Sequence, residues 1–345
     1  MKIGTIGTGP IVEVFLDAVR QVDGVACTAV YSRQEAKARA LADAFGVHQT
    51  YTQLSDLMDD DNIDCIYIAS PNSLHFEQAW LALEKGKHVI LEKPFASTAE
   101  EAAHLIRLAE KNNRFLFEAI TTLHLPNYLK ARELLAQLGT IRLVQCSYVQ
   151  YSARYDKLLA GEITNVFDPA FSGGCLYDLN IYNLHFVQGL FGPPKSVLYR
   201  PNLARNGIDT SGIALMMYDG FVASCAGAKD SVGPSFSLIH GSKGYIRFTS
   251  PAHMCLGFEF AVGDTMTWID LQNSPHHDTR LKAGPYQKEN NRMVHEIRAF
   301  ADCFDRRDFK TARAWLDHSL NVMKTVESAR KDAGIVFAAD AHSIV

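Results

Sequence analysis

The chain has 345 residues, 47% hydrophobic and 21% charged, with a formal net charge of −4 at pH 7. At roughly 100–200 residues per domain this predicts two domains, each burying its own core. The mild acidity leaves no footprint for nucleic acid or anionic lipid, and no run approaches the roughly 18 apolar residues of a membrane span.

In chain order, "KIGTIG" reads as a strand, 10–22 as a helix, "CTAVYS" as a strand and 34–45 as a helix. "IDCIYIAS" (63–70) is a nearly continuous apolar run, the pattern of a parallel strand covered on both faces. A helix over 73–85, the strand "HVILEK", a helix over 98–112 and the strand "RFLFEAI" follow, with Thr98 and Glu101 spaced as a capping box. Strands alternating with helices across short connections predict right-handed βαβ units in a doubly wound parallel sheet.

After about residue 120 the rhythm changes. A helix over 127–138, ended by Gly139, leads into the strand "TIRLVQCSYVQYS", and a helix over 174–191 follows. The strand-like runs "SVLYR", "GIALMMYDG", "FVASCAG", "FSLIHGSKGYIRFT" and "TMTWIDL" come next, and the turns Asp219-Gly220 and Ser242-Lys243-Gly244 suit antiparallel pairing. Helices over 290–304 and 311–331 close the chain. Domains are therefore expected at 1–121 and 122–345, the change of rhythm being the boundary signal.

"MKIGTIGTGP" carries one lysine before a glycine-broken strand and does not read as a secretory leader. Seven scattered cysteines without a CxxC pair predict reduced, mostly buried thiols in a cytoplasmic protein. The histidines form no HExxH or close cluster with cysteines and carboxylates, so no metal is expected.

"KIGTIGTGPIVEVFL" sets Gly7-Thr8-Gly9 between a strand and a helix. Glycine there permits a tight turn and lets backbone approach a pyrophosphate, which then rests on the helix N-terminus beside Pro10 and Ile11. Val12 replaces the third Gly or Ala of the dinucleotide fingerprint, and Pro10 removes one N–H donor. The second strand runs into Ser32-Arg33, with no acid before Glu35. A hydroxyl beside a guanidinium fits a ribose 2′-phosphate, so NADP is expected over NAD.

In a doubly wound sheet, ligands sit beyond the carboxyl ends of the strands. Ser70-Pro71-Asn72, with His75 further on, follows the run 63–70, and Glu92-Lys93-Pro94 follows "HVIL". The charged pair is thus expected where a nicotinamide would lie. In "GGCLYDLNIYNLHFVQGLFG", Asp178, Tyr182 and His185 fall at about 0°, 40° and −20° on a helix of 100° per residue. Leu176, Leu179, Val187 and Leu190 occupy the opposite arc, and Gly189 leaves space beside the polar face. An acid, a phenol and an imidazole without Lys or Arg suggest a reactive face.

"GTGPI", "YSR", "ASPNSLH", "GKHVILEKPFA" and "SGGCLYDLNIY" resemble, in order and spacing, the Gfo/Idh/MocA oxidoreductases, especially the dihydrodiol dehydrogenase and glucose–fructose oxidoreductase branch. The resemblance implies a Rossmann domain followed by an α/β domain whose large, mainly antiparallel open sheet builds homodimers or homotetramers. It also implies NADP or NAD and a sugar, polyol or diol substrate. Thr122 and Leu123 replace a Trp-Arg pair common in relatives, and Asn180 stands where "DLG" is usual, so the relatives' sugar specificity is not carried over to this chain.

The expected chemistry is hydride transfer between nicotinamide and a secondary alcohol or its carbonyl. Tyr182 would be the general acid/base, and because an ordinary phenol titrates near pH 10, Lys93 would supply the cation it needs. Asp178 would hold that lysine or a substrate hydroxyl, Glu92 would face the cofactor, and His185 stands next in line for proton transfer. A non-catalytic dinucleotide sensor and an NAD-dependent glycoside hydrolase are the rival readings. Strands rich in Met, Phe, Cys and Trp with few covering helices point to at least a dimer. Pocket shape would depend on the loops 154–168 and 273–288.

Overall fold

The computed structural model describes residues 1–272 and 291–341, which form two units: Met1–Ala119 with 291–320, and 120–272 with 321–341. The first begins β1 (Lys2–Ile6), α1 (Pro10–Val19), β2 (Ala26–Tyr31), α2 (Glu35–Phe45), β3 (Gln49–Tyr51) and α3 (Leu54–Met58). It continues with β4 (Cys65–Ile68), α4 (His75–Glu84), β5 (His88–Glu92), α5 (Ala99–Lys111) and β6 (Leu116–Ala119). The six strands are parallel in the order β3-β2-β1-β4-β5-β6, so the chain reverses its direction of winding between β1 and β4. Every residue of β4 and β6 is buried, which is why their sequences are apolar without alternation. The Thr98–Glu101 capping box forms as expected: the Thr98 hydroxyl accepts from the Glu101 N–H at 3.1 Å, and the Glu101 carboxylate accepts from the Thr98 N–H. The short β3 and α3 escaped the sequence reading because three to five residues carry no usable period.

The second unit holds α6 (Pro126–Leu134), β7 (Ile141–Val149), α7 (Ala153–Leu159), a π-helical turn (Leu176–Asn180), α8 (Ile181–Phe191), β8 (Ser196–Leu203) and β9 (Asp209–Tyr218). Then come β10 (Phe221–Ala228), β11 (Phe236–Gly241), β12 (Gly244–Phe248), β13 (Phe258–Val262) and β14 (Thr265–Ile269). They form one sheet, β14-β13-β12-β11-β7-β10-β9-β8, antiparallel except where β10 runs parallel to β7. The π turn and α8 lie against β7 and β10, burying Val144, Cys146, Ala223 and Cys225. By register, the opposite face carries the exposed Leu143, Leu198, Ile213, Met266 and Trp268. Asp219-Gly220 joins β9 to β10 as the expected hairpin; β13 was missed as a strand.

Two long helices follow, α9 (Met293–Arg306) and α10 (Phe309–Asp332), and a 3₁₀ turn (Ala338–Ala341) ends the described chain. The linear division put both in the second domain, yet 291–320 packs with the first unit. Aromatic contacts account for this: Phe300 stacks on Phe117 at 4.6 Å, Phe309 on Phe115 at 4.1 Å, and Trp315 packs against both Phe117 and Phe300. Six of the seven cysteines are buried. No described helix is long and apolar enough to cross a membrane, and the described residues hold no group of three or more potential metal ligands.

Candidate active site

In the first unit the loop between β1 and α1 is set by its glycines. Gly7 has φ +113°, and a Cβ there would lie 2.7 Å from the Ala69 carbonyl oxygen at the end of β4. Gly9 caps α1, and a Cβ built on it meets nothing within 4 Å. The result is an open backbone cradle at a helix N-terminus, with Pro10 first in the helix and Thr8 and Ile11 partly exposed. That is the shape a pyrophosphate requires. Val12 is fully buried in the core beside Phe15 and Ile3. Ser32 follows β2 directly, its N–H bonded to Tyr51 and its hydroxyl accepting from the Gln34 N–H at 3.2 Å, while Arg33 is exposed. The residues fit a phosphorylated dinucleotide.

Beyond β4, Ser70, Pro71 and Asn72 are partly exposed and lead into α4. His75 behaves differently: it is 1% exposed, with Nδ1 2.9 Å from the Pro94 carbonyl and Nε2 3.1 Å from the Ser70 carbonyl. Expected among the cofactor ligands, it ties the segment after β4 to the segment after β5, and burial holds its imidazole below the ordinary value. Glu92 closes β5 inside the unit, where burial raises its carboxyl to about 7 while the Tyr67 hydroxyl, donating at 2.7 Å, opposes the rise. Burial, and then the charge of Glu92, push the Glu296 carboxyl well above its usual value. Lys93 follows, half-buried.

In the second unit the helix expected over 174–191 is two pieces, the π turn and α8. The wider turn shifts the angular positions on which a single polar face depended. Between 172 and 188 every residue is buried except Asp178 and Tyr182. His185, expected beside them, is fully buried because α8 is covered almost all round. Gly189 offers no free space either: a Cβ there would lie 2.2 Å from the Tyr128 hydroxyl, which donates to the Phe186 carbonyl at 3.1 Å.

Tyr182 packs its ring against His253 and Tyr148, with centroids 5.2 and 6.1 Å away. Asp178 forms an ion pair with Lys229, just past β10. Neither Lys229 nor His253 was identified from sequence, since each lies far along the chain in an unremarkable context. Asn180 earns its departure from the usual glycine: its amide donates to the Cys225 carbonyl at 2.9 Å and its side chain covers Gly227, pinning the π turn to β10. The Thr122 hydroxyl donates to the Ala252 carbonyl from a fully buried position. Of the two expected pocket loops, 154–168 contains α7 and a 3₁₀ turn at Asn165–Phe167, and 273–288 lies outside the described residues.

The turn before Asp178 is built by close approach. Leu176 N–H and the Tyr199 hydroxyl both donate to Asp209 at 2.7 Å, and burial raises that carboxyl to about 6. Gly174 sits against it with φ +101°.

Residues 1–120 match the model of an oxidoreductase family with an NAD-binding Rossmann fold, and 128–247 match the same family's C-terminal domain. The chain is 33% identical over 340 residues to scyllo-inositol 2-dehydrogenase (NADP(+)) IolU of Bacillus subtilis, covering 99% of both chains. It is 27% identical over 373 residues to the D-xylose 1-dehydrogenase (NADP(+)) of Hypocrea jecorina, covering 98% of this chain and 93% of that one. The fold also matches the 3-ketoreductase KijD10 of Actinomadura kijaniata, solved with NADP and TDP-benzene, at TM-score 0.77 and 22% identity over 96% of this chain and 97% of that one. By its sequence over both domains, and by a fold that agrees with it, this chain belongs to the Gfo/Idh/MocA oxidoreductase family.

Proposed function

We propose that Tyr182 and Lys93 carry the proton and charge chemistry of an NADP-preferring dehydrogenase acting on a secondary alcohol of a sugar, polyol or diol. The observation that carries this reading is that Asp178 and Tyr182 alone are partly exposed within the otherwise buried stretch 172–188. A buried acid and phenol would be core; an acid and a phenol partly exposed one turn apart can meet a ligand. Bound NADP would supply the hydride acceptor. Tyr182 takes the hydroxyl proton as the carbonyl forms and returns it in the reverse direction. The Lys93 ammonium stabilises negative charge on the reacting oxygen, and Asp178 accepts a hydrogen bond from a neighbouring hydroxyl. His185 supports the helix from within.

The Gly7–Thr8–Gly9 cradle with Ile11 would hold the pyrophosphate, Ser32 and Arg33 the 2′-phosphate, and Ser70, Pro71 and Asn72 the nicotinamide end, whereas Glu92, expected to face the cofactor, is buried against Tyr67. The named NADP-dependent relatives support the cofactor preference, and their substrates support a polyol or sugar. Screening scyllo-inositol, D-xylose and simple diols with NADP should give net reduction at the nicotinamide absorbance band. Arg33→Ala should weaken NADP binding by about tenfold or more and leave NAD binding nearly unchanged, as expected for loss of a charge-assisted contact. Tighter binding of NAD than NADP by the unmodified protein would reverse the cofactor assignment.

The apolar face carrying Leu143, Leu198, Ile213, Met266 and Trp268 is the surface we assign to a homodimer or homotetramer, because an apolar sheet face of this extent is stabilised by meeting another. Light scattering at micromolar concentration should return at least twice the chain mass; a monomeric mass removes the assignment. Scattered, mostly buried thiols suit a reducing cytoplasmic setting.

A further inference from the structure

Lys229 is a buried cation that the sequence reading did not anticipate. It lies at the end of β10 with 6% of its surface exposed, and its ammonium pairs with the Asp178 carboxylate. The residue is fixed on both sides: its N–H donates to the Thr210 carbonyl at 2.8 Å, and its own carbonyl accepts from the Ser152 N–H at 2.9 Å. The next residue, Asp230, accepts from the Thr210 and Ser211 hydroxyls at 2.7 Å each. The ammonium also lies 5.9 Å from the Phe167 ring centroid. Such a side chain has little freedom, so it holds its partner in one place. Asp178, by contrast, keeps 29% of its side chain exposed.

A lysine anchored inside and a carboxylate reaching outward differ from a surface ion pair, in which both side chains are solvated. Burying an ammonium is costly unless a counter-charge is present. Asp178 is the carboxylate that meets this ammonium directly, and the pair holds it oriented before any ligand arrives.

We infer that Lys229 is a positioning residue for substrate recognition: it presents Asp178 as a charge-balanced acceptor for a hydroxyl of an uncharged polyol. The pair adds no net charge, so the substrate need bring none. This rests on the reading that Asp178 meets substrate, the second of the two roles expected for it beside holding Lys93. An acceptor used equally in ground and transition states changes KM more than kcat.

The test compares Lys229→Met, Lys229→Arg and Asp178→Asn, with the Asp178→Asn/Lys229→Met double variant, in steady-state assays with NADP and scyllo-inositol or D-xylose. Lys229→Met should raise KM about tenfold, the size expected for a lost charge-assisted hydrogen bond, with kcat changed less than KM. Lys229→Arg should recover most of that loss. The double variant should be no worse than Lys229→Met alone, and its melting temperature should recover where Lys229→Met has lowered it, because no unbalanced carboxylate remains. A merely structural tether would lower the active fraction, and with it apparent kcat, at constant KM. If Asp178→Asn raises KM while Lys229→Met leaves it unchanged, the positioning role is wrong. If Asp178→Asn changes neither parameter, or the unmodified protein turns over neither probe, the functional reading beneath it falls as well.

Discussion

Tyr182→Phe is expected to lower kcat by about 10²–10⁴-fold, the usual range for removing a positioned acid/base. The substitution deletes one oxygen and keeps the ring that packs against His253 and Tyr148, so the fold should persist. NADP affinity should change little, because the phosphate cradle at Gly7–Thr8–Gly9 and the Ser32–Arg33 pair belong to the other unit. On the roles proposed above, Lys93→Met should also depress kcat, because charge on the reacting oxygen would lose its ammonium. Fluorescence titration of the cofactor beside steady-state rates makes the comparison. Near-normal turnover by Tyr182→Phe would move proton transfer to another group.

Gly174→Ala should destabilise the second unit by about 2–6 kcal/mol, combining a left-handed backbone position with overpacking. A Cβ at this position would lie 2.1 Å from the Asp209 carboxylate. That carboxylate cannot swing aside cheaply, because Leu176 N–H and the Tyr199 hydroxyl hold it at 2.7 Å. Relief would require the start of the π turn to move, and Asp178 lies two residues along that turn. The melting temperature should fall by roughly 10 °C, with KM for substrate rising in the fraction that remains folded. A melting temperature within about two degrees of the unmodified protein would show that the turn tolerates a side chain.

The glycine turn after β1 was legible because its determinants are local. Gly7, Gly9 and Pro10 act through their own φ angles and missing atoms, and the strands and helix that flank them announce themselves by composition. The same holds for the Thr98–Glu101 box, whose partners are three residues apart. Asp178 and Tyr182 were found by their chemistry and spacing, but the angles used to group them with His185 assumed one regular helix. The π turn at Leu176–Asn180 and the packing of α8 changed which side chains reach the surface, and His185 was buried as a result.

By itself, then, the sequence determined the order of most strands and helices, the glycine turn after β1, and the choice of an acid and a phenol that prove partly exposed. Only the tertiary structure decided their company: Lys229 for Asp178, fifty-one residues along the chain, and two backbone carbonyls for His75. It also returned 291–320 to the first unit. The reason is one of range. Turn conformations, caps and hydrophobic periods depend on residues within a few positions, whereas charge pairing and burial depend on which distant strands and helices are brought against each other when the apolar surfaces close.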